Sequence, residues 1–83
     1  MRKSINLQTS LGDLLTALAN QAKQRLDEFN AQDLANTAWA FATVGQQDEQ
    51  LFNALARMAE QRLDEFNAQE LANTAWAFGT VCQ

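Results

Sequence analysis

Histidine, tyrosine and proline are absent from this chain of 83 residues, and cysteine occurs once, as Cys82. Without histidine, the chain lacks the side chain that most often serves as a general base or activates a nucleophile. A single cysteine cannot form an intrachain disulfide, so we expect a reducing compartment and interpret Cys82 as a helix-end residue rather than a reactive thiol. The sequence also contains no Gly-rich phosphate loop and no metal-ligand spacing. We therefore expect no enzymatic activity, no metal and no cofactor.

Glycine and long apolar runs are also scarce. The three glycines are Gly12, Gly45 and Gly79. Together with the lack of proline, this favours helices over sandwiches and barrels, because those folds need turn residues at their corners. The longest apolar run, residues 38–42, is far shorter than a membrane span, and the sequence has no secretory signal. We therefore expect a chain that neither crosses a membrane nor is secreted.

Positive charge is limited. Six basic residues stand against ten acidic ones, for a net charge of −4, and the only adjacent basic pair is Arg2 and Lys3. This composition predicts no basic stripe for binding phosphates. The first acidic residue is Asp13, so the N-terminal segment is compatible with an organelle transit peptide as well as with an ordinary solvated start.

A long internal repeat dominates the chain. Residues 30–45 recur almost unchanged as residues 67–82, displaced by 37 positions. A repeat of this length and fidelity predicts an all-α fold, an α-solenoid of two 37-residue helical hairpins with four helices. We place the first unit at residues 9–45 and the second unit at residues 46–83. Residues 1–8 are either a lead-in or the eroded end of a preceding repeat. Since about three repeats are usually needed for stability, we expect a fragment of a longer array or a chain that docks onto copies of itself.

The first helix of each unit is expected at about residues 11–26 and 49–63, with Ser10 and Asp48 as N-caps. The second helix of each unit carries a stronger start signal, which combines an asparagine N-cap, a capping box and a hydrophobic staple. The residues that form it, in the two units, are Asn30 and Asn67 as caps, Asp33 and Glu70 as box partners, and the pairs Phe29–Leu34 and Phe66–Leu71 as staples. Gly45 is expected to end the first of these helices in the left-handed conformation.

The second helices also present a stripe of amides beside a tryptophan. The residues of this stripe are Gln32, Asn36 and Trp39 in the first unit and Gln69, Asn73 and Trp76 in the second. The tryptophans have two interpretations: a packing ladder between successive units, or a stacking platform for RNA bases beside hydrogen-bonding amides. Residues 24–45 and 61–82 differ only at 33/70, 42/79 and 45/82, so both units would read the same base. Discriminating contacts are then expected on the first helices or at the edges between units.

The repeated motif Phe-Asn-Ala-Gln-Asp/Glu-Leu-Ala-Asn-Thr-Ala-Trp-Ala-Phe, at residues 29–41 and 66–78, resembles a known helical repeat. It is similar to the octotricopeptide-type repeats of organellar RNA-processing factors and to the related repeats of FAST-kinase-domain and RAP-domain proteins. The resemblance covers residues 9–83. It implies an α-solenoid that binds single-stranded RNA in mitochondria or chloroplasts, and it implies no catalytic residue.

Two functions follow from these observations as expectations. The first is an RNA-binding module of an organellar RNA-processing or RNA-stability factor, with the amide and tryptophan stripe as its site. The second is a protein-interaction scaffold without a nucleic-acid ligand, which would bind a partner or a second copy through the uncapped ends of the solenoid.

Overall fold

The computed structural model describes residues 7–46 and 48–81. Within these ranges the chain forms helices and no strand, which confirms the all-α class and the four expected helices. The elements are α1 (Leu7–Gln24), a 3₁₀ turn (Leu26–Glu28), α2 (Ala31–Thr43), α3 (Glu49–Gln61), a second 3₁₀ turn (Leu63–Glu65) and α4 (Ala68–Val81). Most of the predicted lead-in and Cys82 lie outside the described residues. The boundaries of the two units stay a prediction.

Helix α1 starts earlier than expected. Ser10 lies inside it, so the prediction of Ser10 as an N-cap is wrong. A serine stabilises the start of a helix only where the helix begins at that serine. The residues before Ser10 include neither glycine nor proline, so nothing in them disfavours helix and α1 extends through Ser10. Both first helices also end two residues before the predicted boundary, because the chain tightens into 3₁₀ turns. In the first of these, the N–H of Glu28 donates to the carbonyl of Arg25 at 2.9 Å.

The predicted cap of α3 is confirmed and also links the two units. The carboxylate of Asp48 accepts a hydrogen bond from the N–H of Leu51 at 3.0 Å. Its other oxygen lies 3.2 Å from the ammonium nitrogen of Lys23, on α1. The N–H of Leu51 lowers the pKa of Asp48, partial burial opposes this shift, and Lys23 lowers the pKa further. Asp48 therefore fixes the start of α3 and its position beside α1.

The capping boxes of α2 and α4 are confirmed in both units. The side-chain oxygen of Asn30 accepts from the N–H of Asp33 at 2.7 Å, and the carboxylate of Asp33 accepts from the N–H of Asn30 at 3.2 Å. Asn67 and Glu70 repeat these bonds at 2.7 and 3.0 Å. Each box satisfies two N–H groups that the first turn of a helix leaves free.

Helix α2 ends as predicted. Gly45 has a φ of 75°, in the left-handed region that glycine adopts without strain. The N–H of Gln46 donates to the carbonyl of Phe41 at 2.9 Å, and the N–H of Gly45 donates to that of Ala42 at 3.1 Å. These two bonds form a Schellman motif, which turns the chain sharply towards α3.

Corresponding helices of the two units pack against each other. Helix α2 packs most extensively against α4, while α1 packs against α3, and α3 also contacts α2. The core between them consists of buried apolar residues from both units: Ala19, Leu26, Ala31, Leu34, Ala35, Ala38, Phe41, Ala42, Leu51, Phe52, Leu55, Ala59, Phe66 and Ala77. The alanines of α2 allow α4 to approach closely, and Phe52 meets Phe78 edge to face with centroids 5.4 Å apart.

The partly buried side chain of Arg62 binds the second unit to the first. The guanidinium of Arg62 donates to the carbonyl of Phe29 and to the carbonyl of Asp27, the latter at 3.1 Å. Both carbonyls belong to the turn between α1 and α2, so Arg62 holds the second unit against the loop of the first. Of the helices in the described ranges, none combines the length and the apolar character needed to cross a bilayer.

Candidate nucleic-acid interface

The amides predicted from the sequence lie together in one groove. Gln32 and Asn36 on α2 face Gln69 and Asn73 on α4, and Asn67 and Glu70 complete the lining of a groove of about 190 Å³. Spacing of four residues places the two amides of each helix on the same side. Side-by-side packing of α2 and α4 then brings the two pairs together. All four predicted amide residues therefore share one surface.

The two tryptophans meet one helical turn further along. The ring centroids of Trp39 and Trp76 are 6.3 Å apart, and their planes are inclined at 37°. The two tryptophan residues nevertheless remain 46% and 49% exposed. The expected packing ladder is thus present as a contact between the units, and each tryptophan is also about half exposed to solvent. An exposed pair of this size offers a surface on which a flat aromatic ligand can stack.

The two threonines of α2, of which Thr43 lies beside the stripe, already have partners on their own helix. The hydroxyl of Thr43 donates to the carbonyl of Trp39 at 2.7 Å, and the hydroxyl of Thr37 donates to that of Asp33 at 2.7 Å. Such bonds to the preceding turn hold the hydroxyls against the backbone. Hydrogen bonding at the α2 half of this surface therefore depends mainly on the amides.

The described lining of the groove carries a single charge, which is negative. Its one carboxylate, Glu70, accepts the N–H of Asn67 in the capping box. Two cations of the described chain are held elsewhere, with Lys23 beside Asp48 and Arg62 on backbone carbonyls. Among the described residues, no basic side chain lines the groove, so these residues do not neutralise phosphates there. Amides donate and accept hydrogen bonds at base edges, and indoles stack on base faces, which suits unpaired nucleotides.

Among the residues that the structure describes, no group of three or more cysteine, aspartate or glutamate side chains is arranged to hold a metal ion. The acidic residues of the capping boxes are bonded to backbone N–H groups.

Two features of the surface were not predicted as part of a site. Asn67 and Glu70 were expected only as caps, although their place at the start of α4, one turn before Asn73, was a signal that they border the amide stripe. The larger feature is an apolar groove of about 430 Å³ on the opposite side of the first unit. Its lining consists of Leu15, Leu18, Gln21, Ala22, Arg25, Phe29, Thr37, Ala40, Phe41 and Val44.

Comparison with known families finds a match over residues 4–82 to the profile described as RNA-editing substrate-binding complex 6 protein. Comparisons with curated proteins and with solved structures find no significant match. The expectation of an RNA-processing helical protein is confirmed at this level. The octotricopeptide-type likeness stays a prediction.

Proposed function

We propose that this chain, which belongs to the family of the RNA-editing substrate-binding complex 6 protein, is an α-solenoid module that binds single-stranded RNA through the Trp39–Trp76 pair and the amide groove beside it. The family associates the chain with RNA editing, a form of RNA processing. The observation that carries the proposal is the half-exposed tryptophan pair next to four amides on one surface.

The proposed mechanism is stacking with local hydrogen bonds. An unpaired base lies against the exposed indole faces, where stacking contributes about 1–3 kcal/mol per base. The amides of Gln32, Asn36, Gln69 and Asn73 bond to base edges. Because the amides and the tryptophan are the same in both units, neighbouring nucleotides meet similar chemistry, and we expect little discrimination between sequences at this surface.

The described lining, which contains one carboxylate and no cation, predicts a weak dependence of binding on salt. For single strands, the slope of log affinity against log salt is about −0.7 for each phosphate that is neutralised. Since the described lining supplies no cation, we expect few phosphates to be neutralised and the slope to be shallow. A steep slope would locate the binding on another surface.

The test uses the intrinsic fluorescence of the two tryptophans, which are the only ones in the chain. Adding single-stranded RNA to the full chain is expected to quench or shift their emission, because the bases stack on the indoles. The double variant Trp39→Ala/Trp76→Ala is expected to bind RNA about tenfold or more weakly, which the fluorescence polarisation of a labelled RNA measures. Asn53→Ala, an exposed change on α3, is the matched control. Retention of full affinity by the double variant would contradict the proposal, as would the absence of binding by the unaltered chain.

The proposal assigns the chain no catalytic step, and we place it in the mitochondrion. The chloroplast stays an alternative prediction from the sequence resemblance. A second candidate function, a protein-interaction scaffold, is supported by the exposed apolar residues Leu18, Leu63 and Leu71 at the two ends of the helix stack.

A further inference from the structure

The apolar groove on the first unit is the counterpart of a surface that is buried in the second unit. Each residue that lines this groove has an equivalent 37 positions later in the sequence. In the second unit, these equivalent residues form the face that packs on the first unit. Leu18 in the groove is 49% exposed, whereas its counterpart Leu55 is 1% exposed. Ala40 and Val44 are also exposed, while Ala77 is buried and Val81 packs against the core. Within the described residues, the groove is therefore a docking face that no neighbouring unit covers.

The complementary face lies at the other end of the chain. On the first unit, Leu26, Leu34, Ala35 and Ala38 are buried beneath the second unit. Their counterparts Leu63, Leu71, Ala72 and Ala75 are exposed. Leu34 is 2% exposed, for example, and Leu71 is 44% exposed. The described residues thus carry one half of the same junction on the first unit and the other half on the second, and neither half is covered by other described residues.

An arginine occupies the same place in both units, and in the second unit it makes a polar contact at the junction. Inside the chain, Arg62 donates to the carbonyls of Phe29 and Asp27. Its counterpart Arg25 lines the apolar groove and is exposed. The carbonyls that correspond to its acceptors belong to Phe66 and Asp64, in the second 3₁₀ turn and at its end. The internal junction therefore specifies both the apolar and the polar partners of the groove.

We propose that the groove between α1 and α2 binds the α4 face of a second copy of this chain, head to tail, with Arg25 donating to the backbone carbonyls of Asp64 and Phe66 of that copy. A head-to-tail contact uses two different surfaces and leaves one of each free after every addition. Association is therefore expected to proceed past the dimer as concentration rises. This inference does not depend on RNA binding.

The contact between copies differs from the internal one in its charges. Inside the chain, Lys23 contacts Asp48 and Gln50. The corresponding residues at the contact between copies are Glu60, Leu11 and Asp13. The carboxylates of Glu60 and Asp13 then face each other where the internal junction has the hydrogen bond between Lys23 and Gln50, and Leu11 replaces the ion-pair partner Asp48. Both changes weaken the association. Gln21, in place of Met58, also makes the groove less apolar than its internal counterpart.

The decisive experiment uses two variants that block opposite ends. Leu18→Glu places a charge in the groove, and Leu71→Glu places one on the α4 face. Each variant alone is expected to sediment as a monomer at concentrations where the unaltered chain forms dimers and larger species. An equimolar mixture is expected to form a one-to-one dimer and nothing larger, because only one intact groove meets one intact α4 face.

Matched controls keep the result interpretable. Thr16→Glu introduces the same charge on α1, at a position whose counterpart Asn53 stays exposed at the internal junction. It is expected to associate like the unaltered chain. Circular dichroism verifies that each variant keeps its helices. Arg25→Ala, which removes only the polar contact, is expected to weaken association by about tenfold.

Charge reversal provides a test in the opposite direction. Glu60→Lys introduces, opposite Asp13 of the next copy, the lysine that Lys23 supplies within the chain. This variant is expected to associate more strongly than the unaltered chain. Added salt is expected to weaken the association of the variant, because it screens an attraction, and to strengthen the association of the unaltered chain, because it screens a repulsion. The proposal is overturned if the unaltered chain remains monomeric at millimolar concentration, if Leu71→Glu alone associates like the unaltered chain, or if the mixture of the two blocked variants stays monomeric. None of these outcomes bears on RNA binding at the tryptophan pair.

Discussion

Helices α2 and α4 have almost the same sequence and very different surroundings. Six residues of α2 are buried, namely Ala31, Leu34, Ala35, Ala38, Phe41 and Ala42. In α4, only Ala77 is buried. Helix α4 covers one side of α2, and the described chain places no helix on the corresponding side of α4. The residues are suited to burial in both helices, and the neighbour determines whether burial occurs.

The largest expected difference between the two helices is at their shared leucine. Leu34→Ala removes a side chain that is packed between the units, so it is expected to lower the free energy of unfolding by about 2–5 kcal/mol. Leu71→Ala removes the equivalent side chain from an exposed site, and we expect a loss of less than about 1 kcal/mol. Urea denaturation at protein concentrations below the onset of association measures both. Equal losses would show that the exposure of Leu71 does not describe the chain in solution.

For the capping residues, in contrast to the leucines, we expect equal losses of stability in the two helices. Asn30→Ala and Asn67→Ala each break a capping box of the same geometry, and each is expected to lower the free energy of unfolding by about 1 kcal/mol. The bonds are local to the first turn, so the neighbouring helix has little influence on them. The same urea measurement applies, with Asn53→Ala as a control at an exposed position inside α3. A difference between the two caps as large as that between the two leucines would contradict this view.

Local signals account for what the sequence predicted correctly. The caps Asn30, Asn67 and Asp48 and the end at Gly45 are specified by residues within a few positions of one another, and the structure confirms them. Ser10 was the exception, because a residue that can cap a helix can also lie inside one when no glycine or proline precedes it. The start of α1 therefore depended on what lies before Ser10 rather than on Ser10 itself.

Features that depend on contacts between the two units were predicted from the sequence only in part. The spacing of Gln32, Asn36 and Trp39 placed them on one face, and the repeat implied a parallel set beside it. The direct contact between Trp39 and Trp76, and the exposure that remains, depend on the distance and tilt between α2 and α4, which periodicity does not specify. The apolar groove around Leu18 was likewise hidden, because the same residue type is buried at Leu55.

The smallest expected effect is at Asp48, where the two units differ: the counterpart is Leu11, which has no charge to pair. Asp48→Asn keeps an N-cap oxygen for the N–H of Leu51 and removes the ion pair with Lys23, so the expected loss at neutral pH is at most about 1 kcal/mol. The pKa of Asp48 is lowered in the folded chain, first by the Leu51 N–H. Its contribution is therefore complete above the ordinary aspartate pKa near 3.8 and disappears as pH falls through the lowered value. The urea midpoints of the unaltered chain and the variant are expected to differ at about pH 7. They are expected to become equal in the range of about pH 2–3. A difference that persists in acid would assign the effect of Asp48 to cap geometry alone rather than to its charge.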